Sequence, residues 1–127
     1  MAAAKKDPRH ERGRLSEDAA VRYLEQAGLR VLARNVRLAG AEVDIVAEEL
    51  GAIVFVEVRS RSSPNFVHPF ETIGWRKQHR IARVAALWLA RNAGPHARAR
   101  FDVVAVDWNE GRPICQLLRA AFEVSGA

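Results

Sequence analysis

Residues 53–61 read IVFVEVRSR, an apolar run interrupted by Glu57 and closed by Arg59 and Arg61. Its valine, isoleucine and phenylalanine content predicts a buried β-strand. Side chains alternate across a strand, so Ile53, Phe55, Glu57 and Arg59 share one face and Val54, Val56 and Val58 the other. A lone buried carboxylate is costly, so Glu57 requires a partner, a cation or a functional site.

Upstream, AEVDIVAEE (41–49) alternates, with Val43, Ile45 and Ala47 on one face and Glu42, Asp44, Val46 and Glu48 on the other. Leu50-Gly51 turns this segment into the next, so residues 42–59 read as a hairpin. LRVLARNVR (29–37) is a strand followed by the turn LAG. Before it, Leu15, Ala19, Ala20, Tyr23, Leu24 and Ala27 recur at helical spacing, and Gly28 supplies the stop. Downstream, SRSSPNFVHPFETIG (60–74) has loop composition, with Thr72 a predicted N-cap. A helix follows over Trp75–Asn92, with the stripe Ile81, Val84, Ala85, Trp88 and Leu89, ended by Gly94-Pro95. RFDVVAVDW (100–108) and PICQLLRAAF (113–122) are strands joined at Glu110-Gly111. The order α-β-β-β-α-β-β predicts an α/β domain, a mixed central sheet flanked by helices. Residues 1–12 read as a flexible basic tail, 13–122 as one domain and 123–127 as a C-terminal tail.

The chain of 127 residues is 49% hydrophobic and 28% charged, as in a soluble globular domain. No apolar run approaches the ~20 residues of a bilayer span. MAAAKKDPRHERGR carries no apolar stretch after its charges, so no secretory leader is read there. A cytoplasmic protein without a membrane partner is expected. Cys115 is the single cysteine, which excludes an internal disulfide and a cysteine-based zinc cage. Net charge is +5, and 17 of the 20 basic residues are arginine. That balance suits a polyanionic partner such as nucleic acid, although a GC-rich genome also inflates arginine.

Asp44 and Glu57 fall on neighbouring antiparallel strands, where an ordinary register brings them within a few ångströms. Two carboxylates so close repel unless one is protonated or a cation lies between them. Mg²⁺ takes oxygen ligands and keeps waters and phosphate oxygens. A carboxylate pair with a basic residue two positions after the second acid therefore suits phosphodiester cleavage. The same pattern also suits an ion pair on a solvated sheet face, and spacing does not choose between them.

The segments GRLSEDAA, ARN, AEVDIV, FVEVRSR, RKQHR and RFDVVAV, in that order across about residues 13–108, resemble the YraN-like family of small, largely uncharacterised bacterial proteins. The resemblance implies a PD-(D/E)XK nuclease-like fold, restriction-endonuclease-like and shared with Holliday-junction resolvases. It implies a Mg²⁺- or Mn²⁺-dependent DNA endonuclease, with branched DNA a conceivable substrate and a homodimer a conceivable assembly. Asp44 and Glu57 become paired metal ligands, with the carbonyl of Val58 a further one. Glu17 matches an acid that reaches the site from the first helix. Gln78 matches a glutamine near the scissile phosphate, and Arg59 stands in the position of the motif lysine. Asp102 reads as structural, paired with an arginine.

Two positions depart from that pattern. Arg59 replaces lysine and Ala41 replaces the glycine opening the Gly-Glu-Ile-Asp motif. Arginine stays protonated and stabilises charge without exchanging a proton, so a catalytically inactive DNA- or RNA-binding module is the second expectation. A protein-interaction domain with an incidental basic patch is the third. Arg61, Arg76, Lys77, Arg80 and Arg83 form the expected nucleic-acid-binding set, with Arg76, Arg80 and Arg83 broadly on one helix face. Trp75 suits either base stacking or packing at the helix start. His68 and His79 lack metal-ligand spacing, and Cys115 reads as a packed residue.

Overall fold

The structure, a computed structural model, describes residues 8–61, 73–94 and 97–123. Five strands form one sheet: β1 (Arg30–Leu38), β2 (Ala41–Glu49), β3 (Ala52–Arg61), β4 (Ala99–Asn109) and β5 (Arg112–Phe122). Helix α1 (Pro8–Gln26) precedes β1, and α2 (Trp75–Asn92) lies between β3 and β4. The expected order α-β-β-β-α-β-β is therefore the observed one. Strands lie side by side in sequence order, and only β3 and β4 are parallel. Parallel neighbours need a long crossover, and α2 lies in it.

The antiparallel connections are all two residues long and end in glycine. Ala39-Gly40, Leu50-Gly51 and Glu110-Gly111 each have both φ values positive, 54 and 75, 50 and 84, 51 and 75°. This is the hairpin turn whose twist matches the flanking strands, and glycine enters the left-handed region without a Cβ penalty. At the end of α1, Gly28 (φ 96°) lets the chain turn so that the Leu29 N–H donates to the Leu24 carbonyl at 3.0 Å.

Two boundaries differ from expectation. Helix α1 begins at Pro8, so residues 8–12, read as tail, are helical. Proline suits a first helical position because its missing N–H would lack a partner there anyway. The N-cap of α2 is Gly74, with no side-chain cap, rather than Thr72. Thr72, His68 and most of the expected loop lie outside the described residues.

Each helix covers one face of the sheet. Ala19, Ala20 and Leu24 of α1 pack on Ile45, Ala47, Val54, Val56, Val104 and Val106. Ile81, Val84 and Ala85 of α2, flanked by Trp88 and Leu89, pack on Val43, Val46, Ile53 and Phe55. Phe55 anchors this second layer, meeting Trp88 edge-on with centroids 5.9 Å apart and Phe101 at 5.8 Å. Strand β3 is buried on both faces, which is why its sequence is an unbroken apolar run up to Glu57.

Val43 does not share a face with Ile45 and Ala47, as strict alternation requires; it joins Val46 on the α2 side. Strand β1 shows the same reset, with Ala33 and then Val36 and Leu38 packing toward α2. Both resets fall on one rung. Asn35 lies between the pairs Arg34–Ile45 and Val36–Val43, opposite Asp44, and has φ 52°. A left-handed residue inside a strand rotates the residues after it, and asparagine tolerates that conformation better than most residues.

At the opposite end of the sheet, β5 bulges between its pairs with Phe101 and Val103. Asp102, fully buried, accepts the Ala120 N–H at 2.9 Å and takes Arg100 through two bonds of 2.9 Å. Arg100 also donates to Glu49, which Arg119 grips with two more bonds. Asp102 is thus the arginine-paired structural acid expected, and its carboxylate satisfies a backbone donor that the bulge removes from the ladder.

Candidate metal and phosphate site

The β2–β3 ladder runs from Glu49–Ala52 to Ile45–Val56 and stops there. Beyond that rung β2 stays paired with β1 to Ala41, while β3 stays paired with β4 to Arg61. The sheet splits into a wedge, and Asp44 and Glu57 face each other at its apex. The Val58 N–H donates to Asp44 Oδ2 at 2.8 Å. The wedge opens toward α2 as a cleft of about 230 Å³ lined by Ala41, Glu42, Asp44, Glu57, Lys77, Arg80 and Ile81. This is why a buried strand carries an acid: Glu57 sits where its strand leaves the core.

Electrostatics mark Asp44 most strongly. Burial first, then the charge of Glu57 and more weakly that of Glu17, push its carboxyl up to about 7. The bond from Val58 N–H and the charge of Lys77 oppose that rise without cancelling it. Glu57 is itself buried and forms an ion pair with Lys77 Nζ from the first turn of α2.

Glu17 stands at the border of the same region. Ser16 fixes its helix by donating to Ser60 Oγ and accepting the Trp108 indole N–H, both at 2.8 Å. Glu17 lies 4.0 Å from Arg34 Nη2, and the Asn35 side-chain amide lies between Glu17 and Glu42, where its nitrogen end can donate to both. Burial raises the Glu17 pKa, with Arg34 opposing and Glu42 and Asp18 adding to the rise. Glu17 is absent from the cleft wall, and among the described residues no three His, Cys, Asp or Glu side chains are grouped to hold a metal. Asp44 and Glu57 are the acids that face each other, with Glu42 on the cleft wall beside them and Glu17 outside it.

The other expected residues separate. Gln78 does not line the cleft; its amide nitrogen donates to the Ile73 carbonyl at 2.7 Å, tying down the entry to α2. Arg61 makes a two-pronged pair with Asp107 at 2.6 and 3.0 Å, which holds β3 to β4 and takes its charge out of the basic set. Lys77, expected to bind a phosphate backbone, is engaged with Glu57. Arg80 borders the cleft, and Arg76 and Arg83 are exposed on the same helix. Arg59 pairs with neither acid, and its Nη1 is buried with no hydrogen-bond partner among the described residues. What the structure shows at Val58 is the N–H bound to Asp44.

Trp75 is 66% exposed and does not pack into the core; the Arg76 guanidinium lies 5.3 Å from its ring centroid and His79 meets it edge-on. Cys115 is half-buried against the α1 layer, and burial raises its thiol pKa. Two residues that sequence reasoning passed over belong to the site. Glu42 carried a signal in sharing a face with Asp44. Asn35 carried another, since asparagine is unusual inside a strand. No helix among the described residues is long and apolar enough to cross a membrane.

A model of the uncharacterised protein family UPF0102 matches residues 16–106, the stretch that holds every cleft residue. A UPF0102 protein of Symbiobacterium thermophilum is 41% identical over 111 residues, covering 87% of this chain and 94% of its own length. One from Anaeromyxobacter is 42% identical over 118 residues, covering 93% and 89%. One from Halorhodospira halophila is 46% identical over 104 residues, covering 82% and 83%.

Proposed function

The chain belongs to the uncharacterised protein family UPF0102, and from its wedge of facing acids we propose a nucleic-acid-binding protein that cleaves phosphodiester bonds with Mg²⁺ or Mn²⁺, on a nuclease-like scaffold of the PD-(D/E)XK type. The observation that carries this reading is the Asp44–Glu57 pair at the apex of a cleft edged by Lys77 and Arg80. Two acids there repel each other and repel phosphate unless a cation covers them. The donor set fits Mg²⁺, which binds through one or two carboxylates and completes its shell with water and phosphate oxygens. Asp44 and Glu57 are the residues to hold it, with the Val58 carbonyl as a further oxygen. An ion held there would supply Lewis acidity, polarising a phosphate and acidifying a water.

The chain's own groups supply the remainder. Arg76, Arg80 and Arg83 hold the phosphate backbone of DNA without reading bases, a contact weakened by salt. Glu17 adds negative charge at the border, anchored by Arg34 and Asn35. Arg59 contributes positive charge to phosphoryl oxygens but does not accept the proton of an attacking water.

That last limit supports a second reading, a binding module without cleavage. It is favoured by Arg59 itself, which replaces a proton-exchanging lysine and touches neither acid. The two readings separate in one experiment. Linear, single-stranded and four-way-junction DNA are incubated with Mg²⁺ or Mn²⁺ and with wild type, Asp44→Ala or Arg59→Lys. Divalent-dependent cleavage by wild type that is lost in Asp44→Ala is the expected result. Salt-sensitive binding with cleavage by none of the three selects the binding module. Absence of salt-sensitive binding refutes both readings.

A further inference from the structure

We propose that Lys77 is a built-in cation of the Asp44–Glu57 pair, holding Glu57 in the position that a divalent ion takes and competing with that ion for it. The inference rests on the reading of the pair as a cation site and adds an occupant of its own chain. The chain has three lysines, Lys5, Lys6 and Lys77, and only Lys77 lies among the described residues. Among the described residues the other basic side chains paired with strand acids are arginines; Arg30 on Glu48 and Arg37 on Glu42, both largely exposed, use one nitrogen, whereas three others close as forks. Arg61 on Asp107, Arg100 on Asp102 and Arg119 on Glu49 each use two nitrogens on one carboxylate. Such forks lock geometry and are poor at letting go.

Glu57 is held differently. Lys77 reaches it with a single compact ammonium on a flexible stem, the side-chain group closest in shape to a bare cation. Its own side chain is 48% exposed whereas that of Glu57 is 9% exposed. The carboxylate is therefore fixed in the fold and its partner is free to swing into solvent. The same charge reaches Asp44, where it opposes the mutual repulsion of the acids. Arg59 does not do this work, since it pairs with neither acid. An ion entering the cleft meets an occupied carboxylate, and Lys77 is left beside the cleft when it yields.

Calorimetric titration of Mn²⁺ into the full chain at pH 8 tests this without reference to cleavage. Wild type, Lys77→Met, Lys77→Arg and Asp44→Asn are compared, with a thermal melt of each to show that it is folded. Lys77→Met, which keeps the apolar stem and removes the charge, binds Mn²⁺ about fivefold or more tightly, the weight of a half-exposed ion pair. Lys77→Arg, which keeps the charge, stays close to wild type, and Asp44→Asn loses binding. Equal affinity in wild type and Lys77→Met, or weaker affinity in the variant, overturns the inference while leaving the metal site in place. Binding by neither of these two proteins overturns the metal reading, and the inference falls with it.

Discussion

Replacing Asp44 by asparagine should stabilise the metal-free protein, and only at high pH. The carboxyl moves from an ordinary value of 3.8 to about 7 through burial and the adjacent charge of Glu57. A raised carboxyl pKa means that the folded state prefers the protonated acid. Stability from this group is complete below about pH 3.8, falls as pH rises toward 7, and changes no further above that. Ionising the buried acid at pH 8 thus costs about 4 kcal/mol at most. The amide imitates the protonated acid and can still accept the Val58 N–H, but it brings an N–H group that must find room beside Lys77. Recovery of about half, ~2 kcal/mol, is expected, which for a domain of this size raises Tm by about 8 °C. The assay is urea denaturation of wild type and Asp44→Asn from pH 4 to pH 8 in EDTA. The difference should open between pH 4 and about 7 and then level off, and saturating Mg²⁺ should narrow it by stabilising the ionised pair in wild type alone. An equal difference at pH 4 and pH 8, or a variant less stable than wild type at pH 8, would refute the reasoning.

Asp102→Ala strips Arg100 of its fully buried partner and leaves the Ala120 N–H without an acceptor. It should cost about 3 kcal/mol, read as a drop in the urea midpoint with no effect on Mn²⁺ affinity. The Glu49 carboxyl is held down to about 2, chiefly by its bond from Arg119 and then by Arg100. Its contribution is present above pH 4.5 and is lost as pH falls toward 2, so the destabilisation caused by Glu49→Gln should be full at pH 7 and vanish across that window. Gly51 has φ 84° in the β2–β3 turn, and Gly51→Ala should cost about 1 kcal/mol in the same denaturation assay.

Much of the fold was legible because it depends on neighbours within a few positions. The stripe from Ile81 to Leu89 has a helical period, and α2 spans Trp75–Asn92 as that period and Gly94-Pro95 predict. X-Gly pairs between alternating segments marked all three hairpin turns. The acid within IVFVEVRSR stood out against its apolar strand, and the hairpin placed Asp44 and Glu57 on neighbouring strands. The partners of those acids were not legible. Lys77 meets Glu57 from the first turn of α2, far along the chain from it, and Arg61 meets Asp107 through the parallel register of β3 and β4. Gln78 carried the right residue type at a helix start, yet its amide turns back to Ile73.

The sequence by itself determined the elements, their order, the turns between them and the acids that do not belong in a core. Those properties arise from side-chain periodicity and local backbone preference, which a linear chain displays. Only the tertiary structure decided where β2 leaves β3, which acids face each other in the resulting wedge and which cation reaches them. The phase reset at the rung of Asn35 and Asp44 turns the hairpin tip toward α2, and the α2 crossover delivers Lys77 and Arg80 to that opening. Charge pairing acts over a few ångströms in space and is indifferent to separation along the chain. It therefore becomes definite only when the sheet register and the helix crossover have been set.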